Sequence, residues 1–294
     1  MSSGVLRRIR EGVPIALSAN SGGRTPDGSF RRFCSAPLMT YVVGILIVVL
    51  CVAAACAASL IVDRRVSLAA RRRHHEVGNQ VFQLIGVMFS VILAFVFNEV
   101  WSEYNVAKQA ISSECEALHS AALLANALPD GKGRPIIESI YAYTNLVVHS
   151  EWKIMAKERR SLDAARELRA SLYTAAQLRV TDPGDLANRA QIVSLLTQAH
   201  AQRETRTFQL KLGMPSAMWT VLVLIAVILV AFMVLSGTEQ PATLIFAGCF
   251  TASIAMVLVL VRMLDFPFEG ALAIGNGDFV KLNGLLAATL ASGQ

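Results

Sequence analysis

Asn79, Gln83, Gly86, Ser90, Ala94 and Asn98 carry the clearest chemistry in this sequence. Amides and a hydroxyl can stand in for water around an ion, and glycine and alanine leave room for it. The steps between them are four, three, four, four and four, so on a helix all six share one face. They run along residues 81–97, a stretch with no charged side chain, and its margins. Such a run belongs in a bilayer, where lipid cannot satisfy amides, so this face must meet other helices or water. Two readings stand: helix packing glued by Gln83 and Asn98, or the wall of a pore in an oligomer. In the second, Gln83, Gly86, Ser90, Ala94 and Asn98 line the conduit, and Phe82 and Phe89 are the candidates for its constriction.

Other reactive side chains give less. His74, His75 and Glu76 tempt a metal reading, but neighbours on a helix point about 100° apart and would need a distant third ligand. Cys34, Cys51, Cys56, Cys115 and Cys249 contain no CxxC and form no even framework; they read as small buried apolar residues. The sequence has no P-loop, no Gly-x-Ser-x-Gly, no zinc spacing, and no acid or base inside its apolar runs. It also lacks the broken spans and repeats of transporters. No enzyme, no cofactor and no metal is expected.

The elements that must position the stripe follow from composition. Hydrophobic residues make up 54% and charged residues 16%, with mean hydropathy +0.50. Soluble domains carry about 25% charged residues, so a membrane protein is expected. The net charge of +6 sits largely in arginines beside apolar runs, which suits anionic headgroups and not nucleic acid.

In chain order, residues 1–38 read as a basic, disordered tail drawn to anionic lipid, with an arginine-rich targeting segment as the alternative. Residues 39–100 hold the first two spans, joined by a link carrying Arg64, Arg65, Arg71, Arg72 and Arg73. From Gly78 to about Leu128 one helix leaves the bilayer, passes Trp101 and Tyr104 at the aromatic belt, and continues as the first helix of a bundle. At 1.5 Å per residue it is roughly 75 Å long. Tyr104, Ile111, Cys115, Leu118, Ala122 and Ala125 then recur at heptad-like spacing, a seam for another helix. Residues 129–133 form a turn. Helices follow over about 135–157, over 162–179 with Ser161 as N-cap, and from Asp182 and Pro183 to a stop at Gly213 and Pro215. Residues 101–214 thus read as a water-exposed helical bundle with its charges on a solvated face. Residues 215–264 hold spans three and four, the latter with Gly248, Thr251 and Ser253. Arg262 and Asp265 read as a local ion pair, and residues 265–294 as a C-terminal segment. The fold class is an all-α membrane protein: four transmembrane helices plus a bundle inserted between spans two and three, with span two continuous into it.

Four spans put both termini and the bundle on one side. Arg24, Arg31, Arg32, Lys108, Arg203, Arg206, Lys211, Arg262 and Lys281 lie near the membrane there, against the five arginines of the short link. The larger number favours a multi-pass cell-membrane protein with tail, bundle and C-terminus cytoplasmic.

Two segments resemble a known family. One is His75-Glu-Val-Gly-Asn79 with Leu93-Ala-Phe95, Trp101, Tyr104, Ala107 and the run from Glu114 to Leu118; the other is Leu264-Asp-Phe-Pro-Phe-Glu-Gly270. Both resemble the bestrophin-like membrane proteins, and the likeness covers about residues 40–285. Distant similarity to bestrophins implies a homo-oligomer, a pentamer by resemblance, acting as a mostly anion-selective channel with the second helix lining its pore. Calcium gating is not carried over, because no acidic cluster stands where a calcium clasp would need one. Asn79, Asp265, Pro267 and Phe268 are candidates for a pore-mouth or interface element, with structural anchoring as the plainer role. The competing function is a non-conducting scaffold or sensor whose long helix transmits changes from bundle to spans.

Overall fold

Absence of prolines between residues 39 and 128 lets two long helices form, and they dominate the structure. The computed structural model describes residues 27–65, 75–155, 161–210, 213–236 and 240–292, with side chains at 27–40, 75–77 and 240 not described. Among these residues the regular structure is all helical. Helix α1 is Asp27–Arg65 and starts within the expected tail. The rest of that tail, the arginines at 71–73 of the link and the His74–Glu76 metal reading lie outside the described residues and side chains.

Helix α2 is His75–Asn126, one element of 52 residues, as the unbroken rod required. After α2 come α3 (Arg134–Leu146), a π-helical segment (Val147–Glu151), α4 (Trp152–Met155), α5 (Leu162–Gln177) and α6 (Pro183–Phe208). Then α7 (Ser216–Ser236), α8 (Gln240–Leu264) and α9 (Gly277–Ser292) complete the chain. Among the described residues four helices are long and apolar enough to cross a membrane: Tyr41–Arg65, Gly78–Asn126, Ser216–Ser236 and Pro241–Leu264. Everything from Ala36 onward forms one compact unit.

Two apolar cores hang on α2. In the span half, Phe89, Val96 and Val100 pack with Leu222, Ala226 and Leu229 of α7 and Val261 of α8. In the bundle half, Ile111, Cys115, Leu118, Ala122 and Ala125 are buried, so the heptad-like seam is real. Its alanines bring α6 alongside, with Ile192, Leu196 and Ala199 opposite. The N-caps form as expected: Ser161 accepts from Ala164 N–H, and Asp182 from Gly184 and Asp185 N–H. Gly133 is required by close approach, since a Cβ there would lie 1.7 Å from the Ala125 carbonyl oxygen.

Three expectations need correcting. The second bundle helix is not one regular helix to residue 157: its last turns widen into the π segment. The bundle is not confined to 101–214, because α9 lays Phe279, Leu282 and Leu286 into the same core. Cys51 and Cys249 lie exposed on span surfaces, and of the four cysteines whose side chains are described Cys115 alone is buried.

Candidate functional site

Helix α2 divides its span into two faces. The inner one carries Phe82, Phe89, Val96 and Val100 at steps of seven, seven and four and packs within the subunit. The outer one carries the polar stripe: Gln83, Ser90, Ala94 and Asn98 are exposed and Gly86 half-buried. Among the described residues no helix covers them, so contacts between these residues do not account for the stripe. The Gln83 and Asn98 amides meet no partner among the described residues. Ser90 Oγ donates back to its own helix, 3.0 Å from Gly86 O and 2.9 Å from Val87 O. Its hydroxyl proton is used there, and its lone pairs face outward.

The two phenylalanines suggested for a constriction point the wrong way. Phe89 is 5% exposed in the span core, and the Phe82 ring lies 5.6 Å from that of Phe250 on α8. Being seven apart, they share the core seam, not the stripe. A bulky residue that falls within the stripe is Val87, 62% exposed and one turn from Gln83 and Ser90.

The segment from Leu264 to Gly270 forms the joint between spans and bundle. Asp265 is buried and makes no ion pair with Arg262. Its Oδ1 accepts from Met214 N–H at 2.8 Å and its Oδ2 from Trp219 Nε1–H at 3.2 Å, fixing the start of α7. Arg262 stacks instead on the Phe266 ring, 3.8 Å from its centroid. Phe268 enters the bundle core edge-on to Trp152, with ring centroids 6.1 Å apart. Gly270 takes φ 78°, a left-handed turn that glycine adopts without strain. Tyr104 then donates to Leu272 O at 3.1 Å and Trp152 Nε1–H to Ile274 O at 3.2 Å. Asn79 is not part of this joint: it lies about 37 Å from Tyr104 along α2.

The bundle charges are not all on a solvated face. Arg206 of α6 is fully buried, with Nε 2.9 Å from Glu114 Oε2 on α2 and Nη2 3.1 Å from Glu151 Oε2. Arg203 Nη2 pairs with Glu151 Oε1 and donates to Ser161 O at 3.0 Å. Tyr143 Oη donates to Glu114 Oε1. The Arg206 guanidinium also sits 5.5 Å from the Trp152 ring centroid and 5.3 Å from that of Phe279. Burial pushes the Tyr143 hydroxyl well above the ordinary tyrosine range, with Glu114 adding to it, so it remains a donor. Burial opposes the charge on Arg206, but Glu114, Tyr143 and Glu151 outweigh it and hold the guanidinium ionised. Two acids and two bases thus close a neutral cluster joining α2, the π segment and α6. Nothing in it is arranged to react.

Residues 49–279 match the family model described as the Bestrophin-like domain. The chain belongs to the bestrophin-like family. Solved bestrophin homologues share its fold: one from Klebsiella pneumoniae carrying a point mutation aligns at TM-score 0.67 and 14% identity, over 84% of this chain and 99% of that one. A second mutant of the same bacterial homologue gives 0.67 and 14% over 83% and 99%. The Klebsiella pneumoniae structure solved by Zn-SAD phasing gives 0.66 and 14% over 83% and 98%. Comparison with curated proteins gave no significant match. As a bestrophin-like protein, the chain is an all-helical membrane protein in which the stripe on α2 and the joint at Asp265 are separate places. The first can meet water or another subunit; the second fixes one subunit's own geometry.

Proposed function

We propose that this bestrophin-like protein is an oligomeric ion channel whose wall is the second span of each subunit. The observation that carries this reading is the uncovered polar face of α2. Two amides without partners cannot rest against acyl chains at low cost, since a buried unpaired amide costs several kcal/mol in hydrocarbon. Turning these faces toward a shared axis gives Gln83, Gly86, Ser90, Ala94 and Asn98 water and one another. A pentamer is the stoichiometry the family likeness implies. Val87, apolar and within the stripe, is the residue suited to narrow the conduit and gate it by dewetting. Anion preference rests on the Gln83 and Asn98 N–H groups, because the Ser90 proton is spent on its own helix.

The test is the purified full chain in planar bilayers. Single-channel steps are expected, Ser90→Leu should reduce unit conductance severalfold, and reversal potentials in a salt gradient should follow chloride. Steps that ignore Ser90→Leu and Val87→Ser would take the stripe out of the pore. The scaffold reading is favoured by the buried cluster, which ties α2 firmly to α6; a silent protein that is monomeric or dimeric in mild detergent would establish it.

A further inference from the structure

A groove of about 700 Å³ opens between α1, α7 and α8, a volume within the range of small-molecule sites. Ile47 and Ala58 of α1, Val227 and Ala231 of α7, and Leu258 of α8 line it. Glycines let α1 and α8 approach: a Cβ on Gly44 would come 2.9 Å from Met263 Cε and one on Gly248 3.7 Å from Val52 Cγ1, while the alanines of α1 leave space toward α7. All three helices are spans, so the groove faces hydrocarbon, and an apolar space of this size there is filled by hydrocarbon. Trp219 and Leu235 mark its two ends on α7. They are about 24 Å apart along the helix, most of the thickness of a bilayer's apolar core.

The ends differ. Arg262 stands at the bundle end, level with Trp219, where headgroups begin. Its guanidinium is steadied by the Phe266 ring, and the acid three residues on, Asp265, is already bound to Met214 N–H and Trp219 Nε1–H. Among the described residues it meets no carboxylate. We propose that the groove holds one acyl chain of an anionic phospholipid from the leaflet on the bundle side, with the phosphate bound by Arg262. Basic side chains between transmembrane helices at this depth select such headgroups. The site is remote from the stripe on α2 and does not depend on conduction.

The experiment is native mass spectrometry of the full chain released from vesicles of equal phosphatidylglycerol and phosphatidylcholine. Retained phosphatidylglycerol should exceed phosphatidylcholine by about fivefold, the selectivity expected of one interfacial arginine. Arg262→Gln should bring the ratio near one. Ala231→Phe or Ala58→Leu, each filling the groove from an exposed wall, should remove the retained lipid with Arg262 intact. Equal retention of the two lipids by the unaltered chain would overturn the proposal, as would a ratio unchanged by Arg262→Gln. Groove-filling variants that lose subunit association but keep their lipid would make the groove a contact between copies, and the proposal would fall.

Discussion

Arg206 is the side chain on which the charge balance of the bundle closes. It touches both acids, and its removal leaves the Glu114 charge buried without a cation, with the Tyr143 hydroxyl as its remaining partner. Breaking a buried pair by deleting one partner costs about 3–5 kcal/mol, because the desolvated charge that remains has no counter-charge. Arg206→Met should therefore lower thermal stability in detergent by that order, read from the helical signal. Adding Glu114→Gln should restore a good part of it, since the orphaned charge then disappears. A single variant costing under about 1 kcal/mol would mean the cluster is hydrated, as exposed pairs are. The position was readable in the sequence. Ile192, Leu196, Ala199, Arg203 and Arg206 continue one row at steps of four, three, four and three, so the two arginines extend an apolar seam. What hid them is that charge balance alone looks the same for a solvated face and a buried cluster.

Element geometry explains why Glu151 can reach that cluster. Tyr143, Val147, Glu151 and Met155 are all buried, at steps of four. In a regular α-helix each such step drifts about 40° around the axis, so three steps would carry the last residue off the core face. The π segment widens one turn, with Trp152 N–H bonding to Val147 O, and takes up much of that drift. Deleting Ser150 should restore an α-helix, turn Glu151 and Met155 by about 100°, and lose stability comparable to Arg206→Met. Ser150→Ala should stay within about 0.5 kcal/mol, as ordinary surface changes do. Equal melting of the two variants would show that the register of this turn is not what places Glu151. Elements with local signals were legible: the rod of α2, the caps at Ser161 and Asp182, the four spans. The π turn has no composition of its own, being set by which side chains the finished core demands. Helix α9 did have a signal, since Phe279, Leu282, Leu286 and Leu290 repeat at helical steps after the break around Pro267 and Gly270. Which face of Phe82 and Phe89 would be covered could not be read locally, because an aromatic seam suits a core and a constriction alike.

For the whole molecule, four crossings fix a parity: the bundle, α9 and the start of the first span share one side. Which side is a contest of cations, and the structure changes the contestants. Arg203 and Arg206 are neutralised inside the bundle and do not act on the membrane potential or the translocation machinery as free charges. Arg24, Arg31, Arg32, Lys108, Lys211, Arg262 and Lys281 then stand against the five arginines of the link, a smaller margin but of the same sign. The bundle is therefore expected in the cytoplasm. A cysteine in place of Ser112, exposed on the bundle half of α2, should resist a membrane-impermeant maleimide in intact cells and react once the membrane is opened. A cysteine placed in the 66–74 link should react already in intact cells. Native Cys51 and Cys249, exposed within apolar spans, should stay unlabelled in both. Labelling of the Ser112→Cys chain in intact cells would invert the molecule, and the dense arginines of the short link would then be what holds it in the membrane.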